Sequence, residues 1–198
     1  MLQPASPTFF QRSALALAPA LLGQWLVHRL EGAPPRVGRI VETEAYVGPH
    51  DKAAHSSKGR TPRTEVMYRA PGHAYVFLVY GMHHCFNVVT GNGSAVLVRA
   101  LEPVMGVPRA VRTDGPGKLT KALGLTLLQN GLYLPTASLF IAERTVVEHQ
   151  HIASGPRIGI DYAQEWVNKP YRFWLRDNPF VSVAKASGAH PPRRRVPG

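Results

Sequence analysis

Apolar and polar positions alternate along this chain in a way that outlines strands more clearly than helices. Residues 37–47 run VGRIVETEAYV and residues 74–80 run AYVFLVY, rich in β-branched and aromatic side chains. Gly81 and Met82 read as a turn, residues 85–90 as the returning strand, residues 91–94 as a second turn, and residues 95–101 as a third strand. Successive strands separated by tight turns predict an antiparallel meander. Residues 25–30 form an earlier strand, joined to 37–47 through Gly32-Ala-Pro-Pro35. Strand patterns return at 138–142, 155–161, 171–176 and 181–184. Helical signals are few: residues 13–22, stopped by Gly23, and a Gly-rich turn at 115–118 that opens a helix reaching 123. The pattern predicts an α+β fold, a mostly antiparallel curved sheet with a few short helices. The chain has no internal repeat and no dividing linker, so residues 1–198 form one domain, with 1–7 and 187–198 expected to be mobile. Residues 48–64 are a long polar loop, of a length that is often functional.

Composition narrows the class. A chain of 198 residues with 44% hydrophobic and 18% charged side chains can bury a core and is not a disordered polymer. There is no run of apolar residues long enough for a transmembrane helix, and the apolar stretch at 14–22 is too short and lacks a cleavage site for a signal peptide. A single cysteine, Cys85, excludes an internal disulfide and reads as a small buried side chain rather than a nucleophile, as in a reducing cytoplasm. The net charge of +11 changes the picture most. It suits a polyanionic partner: DNA, RNA or an anionic membrane surface. A basic protein without such a partner is the plain alternative. Lys52, Lys58, Arg60, Arg63, Arg109, Arg112, Lys118 and Lys121 spread the charge along the body, and Arg193, Arg194 and Arg195 cluster at the end.

Candidate chemistry sits on the strands and the long loop. Without a bulge, Glu42, Glu44 and Tyr46 share one strand face, and two neighbouring carboxylates resist ionising together. A solvated face of glutamates would read the same. His55 in the loop is, on its own, an ordinary hydrogen-bonding residue. The nine histidines show neither HExxH spacing nor a Cys/His array, which gives metal binding little support. Tyr75, Phe77 and Val79 face one way, and Val76, Leu78 and Tyr80 the other. At the hairpin tip, Tyr80 and Met82 have little core to join, and exposed apolar wedges beside basic surface are what duplex-distorting proteins use. Gly115-Pro-Gly-Lys118 can aim amides at an anion, although such turns commonly do no more than start a helix.

Taken together, these segments resemble the alkyladenine (3-methyladenine) DNA glycosylase family, of the alkylpurine type found in mammals and bacteria. The resemblance rests on RIVETEAYVGPHDKAAHS (39–56), YVFLVYGMHHCFNV (75–88), AVLVRALEP (95–103), DGPGKLTKALG (114–124) and PRIGIDYAQEW (156–166), in the family's order. It implies a monofunctional enzyme that flips damaged purines from double-stranded DNA and hydrolyses the N-glycosidic bond, with no metal or organic cofactor. By the same resemblance Glu44 is the general base, and Arg99 with the main-chain carbonyl of Ile158 holds the attacking water. Tyr46, His55 and Phe77 enclose the flipped base, and Asn87 disfavours normal guanine. Tyr80 enters the minor groove with Met82 beside it, and Lys118 contacts a phosphate. The expected protein is a monomer with no membrane partner, cytoplasmic and nucleoid-associated if bacterial, nuclear if eukaryotic. No lysine occupies the matched nucleophile position, which implies hydrolysis without strand cleavage. Phe77 departs from the pattern, since many relatives carry tyrosine there, and the stretch between Leu101 and Asp114 is shorter than in mammalian members. Two other readings share some features: a non-catalytic nucleic-acid-binding module, which has no need of Glu44 with Arg99, and a helix-hairpin-helix glycosylase, which the strand-rich pattern disfavours.

Overall fold

The alternation builds a curled sheet. In the computed structural model, which describes residues 2–108, 110–144 and 146–182, eight antiparallel strands form one sheet. They are β1 (Trp25–His28), β2 (Arg36–Tyr46), β3 (Ala74–Val79), β4 (His83–Gly91), β5 (Ser94–Met105), β6 (Leu139–Ala142), β7 (Ile152–Gly155) and β8 (Arg172–Leu175). The order is β3-β4-β5-β2-β1-β6, with β8 pairing both β2 and β7. β2 is the hub. It pairs β5 along one edge, while its other edge pairs β1 over its first half and β8 at Glu42 to Glu44.

Period-two alternation then divides the sheet into two chemistries. Ile40 and Ala45 of β2, Val76 of β3, Phe86 and Val88 of β4, and Val96 and Val98 of β5 face the main core, which also holds Phe10, Leu17, Leu21, Leu119 and Leu123. On the opposite face Tyr46, Tyr75, Phe77, Cys85, Asn87, Leu97 and Arg99 line a cavity. Two short helices cover the core face. Helix α1 (Ala14–Ala20) is capped by the Ser13 hydroxyl, which accepts from the Ala16 amide at 3.3 Å, and near its end the Ala18 carbonyl accepts from the Thr43 hydroxyl at 2.8 Å. Helix α2 (Pro116–Leu123) opens with Pro116 in its first turn and closes on Gly124 at φ +72°.

The meander and both helices stand where the sequence pattern predicts them. Residues 156–161 differ: β7 ends at Gly155, and the following segment is loop rather than strand. Pro156 has no amide to donate, and the Ile158 amide donates to the Glu44 side chain instead of to a neighbouring strand. Val181 and Ser182 also lie outside any strand, while Val183, Ala184, residues 187–198 with Arg193 to Arg195, and Arg109 lie outside the described residues. Near the other end, Ala5 is buried and donates its amide to the Ile141 carbonyl at 2.7 Å.

Candidate active site

The centre of the cavity face is a buried ionic cluster on β2. Glu44 has no exposed surface. Its Oε1 accepts from the Ile158 amide at 2.8 Å and lies 3.3 Å from Arg99 Nη1, and its Oε2 accepts from the Tyr46 hydroxyl at 2.9 Å. Tyr46, Arg99 and Ile158 all line the cavity, so they form the floor over the carboxylate. Glu42 is equally covered, and its Oε1 accepts from Arg99 Nε at 3.2 Å. A solvated strand face is therefore excluded for both glutamates. Burial works against charge on Arg99, but Glu44 and then Glu42 outweigh it and hold the guanidinium firmly protonated. Burial first, and then Glu44, raise Tyr46 well above the usual phenol range, so it stays a hydrogen-bond donor to the carboxylate.

A bulge makes this convergence possible. Between β2 and β5 the register passes from Ile40 opposite Leu101 to Glu42 opposite Ala100 and Thr43 opposite Val98. Val41 and Arg99 are left without cross-strand partners. Bulges re-aim side chains, and here the unpaired Arg99 reaches both glutamates.

Above the floor lies a cavity of about 790 Å³, large enough for a nucleobase with its sugar. Its walls are aromatic. The rings of His55 and Phe77 meet edge-on with centroids 4.4 Å apart, and His55 Nδ1 hydrogen-bonds with the Tyr75 hydroxyl at 3.0 Å. Burial, reinforced by Arg63 and Lys58, lowers His55 from 6.5 to about 4, so the imidazole is neutral near pH 7. Asn87 is buried and donates from Nδ2 to the Tyr75 carbonyl at 3.0 Å. Cys85 is part of the same lining, with its thiol pushed up to about 11 by burial and so not a ready nucleophile.

At the rim, the β3–β4 hairpin turns on Tyr80 and Gly81, at φ +51° and +69°, with the Met82 amide donating to the Val79 carbonyl at 3.1 Å. Two central residues with positive φ make a type I′ turn, which favours Asn-Gly. Tyrosine there is both strained and exposed: Tyr80 is 89% and Met82 72% accessible. Lys118, at the start of α2, also lines the cavity and pairs with Asp114 at 3.1 Å. Of the ten residues to which the resemblance gave roles, eight line one cavity, while Glu44 lies beneath its floor and Met82 stands beside Tyr80 on the hairpin. Among the described residues, no group of three or more His, Cys, Asp or Glu side chains could hold a metal ion.

The sequence profile of the methylpurine-DNA glycosylase family matches residues 8–179. The chain belongs to that family. It is accordingly a DNA glycosylase, a DNA-repair hydrolase. It is 55% identical over 193 residues to a protein of Myxococcus xanthus strain DK1622, covering 96% of each chain. It is 51% identical over 202 residues to a protein of Bacillus cereus strain G9842, covering 90% of this chain and 98% of the relative. Both relatives are provisionally named 3-methyladenine DNA glycosylase.

Within this glycosylase the sequence did not single out the supports of the site. Arg157 and Asp51, both fully buried in their side chains, form a two-pronged pair. Its contacts are Nη1 to Oδ2 at 2.6 Å and Nη2 to Oδ1 at 2.9 Å. The pair ties the 48–64 loop, which carries His55, to the loop that carries Ile158. Arg157 also donates to the Ala45 carbonyl at 2.9 Å and lies over the Tyr46 ring, 4.7 Å from its centroid. These partners stand far apart in sequence and show no periodic spacing. The only signal was their presence in the same matched segments.

Proposed function

We propose that this protein flips damaged purines out of duplex DNA and hydrolyses their N-glycosidic bond with a water activated by Glu44, leaving an abasic site. One observation carries the reading: a buried carboxylate lies directly beneath the floor of an aromatic cavity, paired with an arginine of that floor, and the rim bears a strained, exposed tyrosine. Mere binding of DNA needs no such buried pair.

The chemistry follows from the groups present. Hydrolysis at C1′ builds oxocarbenium character on the sugar, and a carboxylate stabilises that charge while taking a proton from water. A carboxylate offers about four lone-pair sites. In Glu44 the Ile158 amide and Arg99 engage Oε1, and the Tyr46 hydroxyl takes one site on Oε2. The remaining site on Oε2 serves the nucleophilic water, held also by Arg99 and the Ile158 carbonyl once the floor parts for the entering nucleotide. Extruding a base costs a few kcal/mol, least when damage has weakened its pairing. Stacking on Tyr46 and Phe77 returns about 1–3 kcal/mol per base.

Tyr80 fills the gap left in the stack, Met82 supports it, and Lys118 grips a backbone phosphate. Asn87 on the wall opposes the exocyclic amino group of normal guanine. Alkylated purines already carry positive charge and depart readily, so 3-methyladenine is a natural substrate. Neutral lesions such as hypoxanthine and ethenoadenine need a proton as they leave. His55 is neutral near pH 7 and is therefore a hydrogen-bonding wall rather than the acid. Phe77 stacks without a hydroxyl, which shifts preference among bases but leaves the reaction type unchanged. The protein acts as a monomer and leaves the sugar-phosphate strand intact.

The test is excision from matched duplex oligonucleotides, each carrying one lesion, with the released base identified by mass. Free damaged base and an uncleaved abasic strand are expected. Failure to release any damaged purine, or a protein–DNA adduct trapped by borohydride, contradicts the reading.

A further inference from the structure

The second glutamate of the cluster has no part in the chemistry above, yet it is the more heavily bound. Glu42 is fully buried and does not line the cavity, so it cannot touch a nucleotide there. Four donors converge on its carboxylate. Oε1 accepts from Arg99 Nε at 3.2 Å, Arg172 Nε at 2.6 Å and the Ser182 hydroxyl at 2.8 Å, while Oε2 accepts from the Ser182 amide at 2.7 Å. Arg172 closes the ring by donating from Nη2 to the Ser182 carbonyl at 3.0 Å, and its guanidinium lies over Trp174. The cluster joins two acidic side chains, Glu42 and Glu44, to two basic ones, Arg99 and Arg172.

Arg99 lies between the two acids. Its Nε binds Glu42 and its Nη1 faces Glu44. The β-bulge leaves Arg99 without a cross-strand partner, so its backbone neighbours do not fix its direction as a regular ladder would. What holds the planar guanidinium is its two-sided ionic contact. We propose that Glu42 is a positioning residue for excision. Anchored by Arg172 and Ser182, it aims Arg99 at Glu44 and the water site. This inference rests on the site reading above, in which Glu44 and Arg99 act on the water.

Single-turnover excision, lesion-DNA affinity and thermal midpoint are to be measured for E42Q, S182A, R99Q and the E42Q/R99Q double variant. E42Q should slow excision about tenfold to a hundredfold, the scale of a misplaced catalytic group, without changing affinity. The double variant should excise no more slowly than R99Q, because Glu42 acts through Arg99. S182A removes one anchor of Glu42 while the Ser182 amide and Arg172 still hold the carboxylate, so it should slow excision less than E42Q does. A rate as slow as that of E42Q would overturn the proposal. Wild-type excision by E42Q beside a slow R99Q overturns the proposal, as do effects of the two substitutions that multiply. A wild-type rate in R99Q sinks the underlying site reading, and this inference with it. Should E42Q fail to fold, E42D keeps the buried charge but shortens its reach to Arg99. The same loss of rate at constant affinity is expected, and a wild-type rate in E42D overturns the proposal.

Discussion

At the scale of single residues, the site separates groups that must be charged from groups that must not be. Arg99 is held protonated between two carboxylates. His55, in the same cavity, is kept neutral by burial first and by Arg63 and Lys58 next, with its value lowered from 6.5 to about 4. That depression has a consequence for stability. Between those two values the unfolded chain takes up a proton at this position that the folded chain refuses. The stabilisation is therefore complete above pH 6.5 and is lost as pH falls toward about 4. Replacing His55 with Gln should remove this component: the thermal midpoint of H55Q should drop less than that of the wild type between about pH 7 and about pH 4.5. Equal drops would mean that His55 is not buried as described.

At the scale of elements, the β3–β4 hairpin sacrifices local stability. A non-glycine residue in the left-handed region costs roughly 1–2 kcal/mol, with Asn among the side chains that tolerate it best. Y80N should therefore raise folding stability by about 0.5–1 kcal/mol in denaturant unfolding while weakening binding to lesion-containing duplex. A variant no more stable than the wild type would remove the strain, and unchanged affinity would remove the wedge. Legibility from the sequence also divides at this scale. β2 to β5 were legible because one face packs a core and the other a cavity, so side-chain type alternates with the pleat. The chain from 156 to 161 was not legible: Ile158 and Ile160 suggested a strand, but Ile158 spends its amide on Glu44. Nor could alternation reveal that Val41 and Arg99 are bulged, or that Arg157 meets Asp51 across 106 positions. Those contacts belong to the closed fold and leave no periodic trace.

At the scale of the whole molecule, excess positive charge and one cavity act together. Several cations are paired locally, as in Lys52 with Glu165, Arg60 with Glu65, and Arg112 with Asp114. Lys118, itself paired with Asp114, and Lys121 line the cavity and are the cations proposed to meet a DNA backbone. Affinity for DNA should fall steeply with salt, and K118Q should reduce the slope of log affinity against log salt by about 1, uniformly across sequences. An unchanged slope would place the phosphates elsewhere. The account as a whole depends on Glu44, the buried acid beneath the cavity. Its most direct test is single-turnover excision by Glu44→Gln, which preserves shape while abolishing the base. The account predicts loss of excision with lesion-DNA affinity retained. Turnover close to that of the wild type would contradict it.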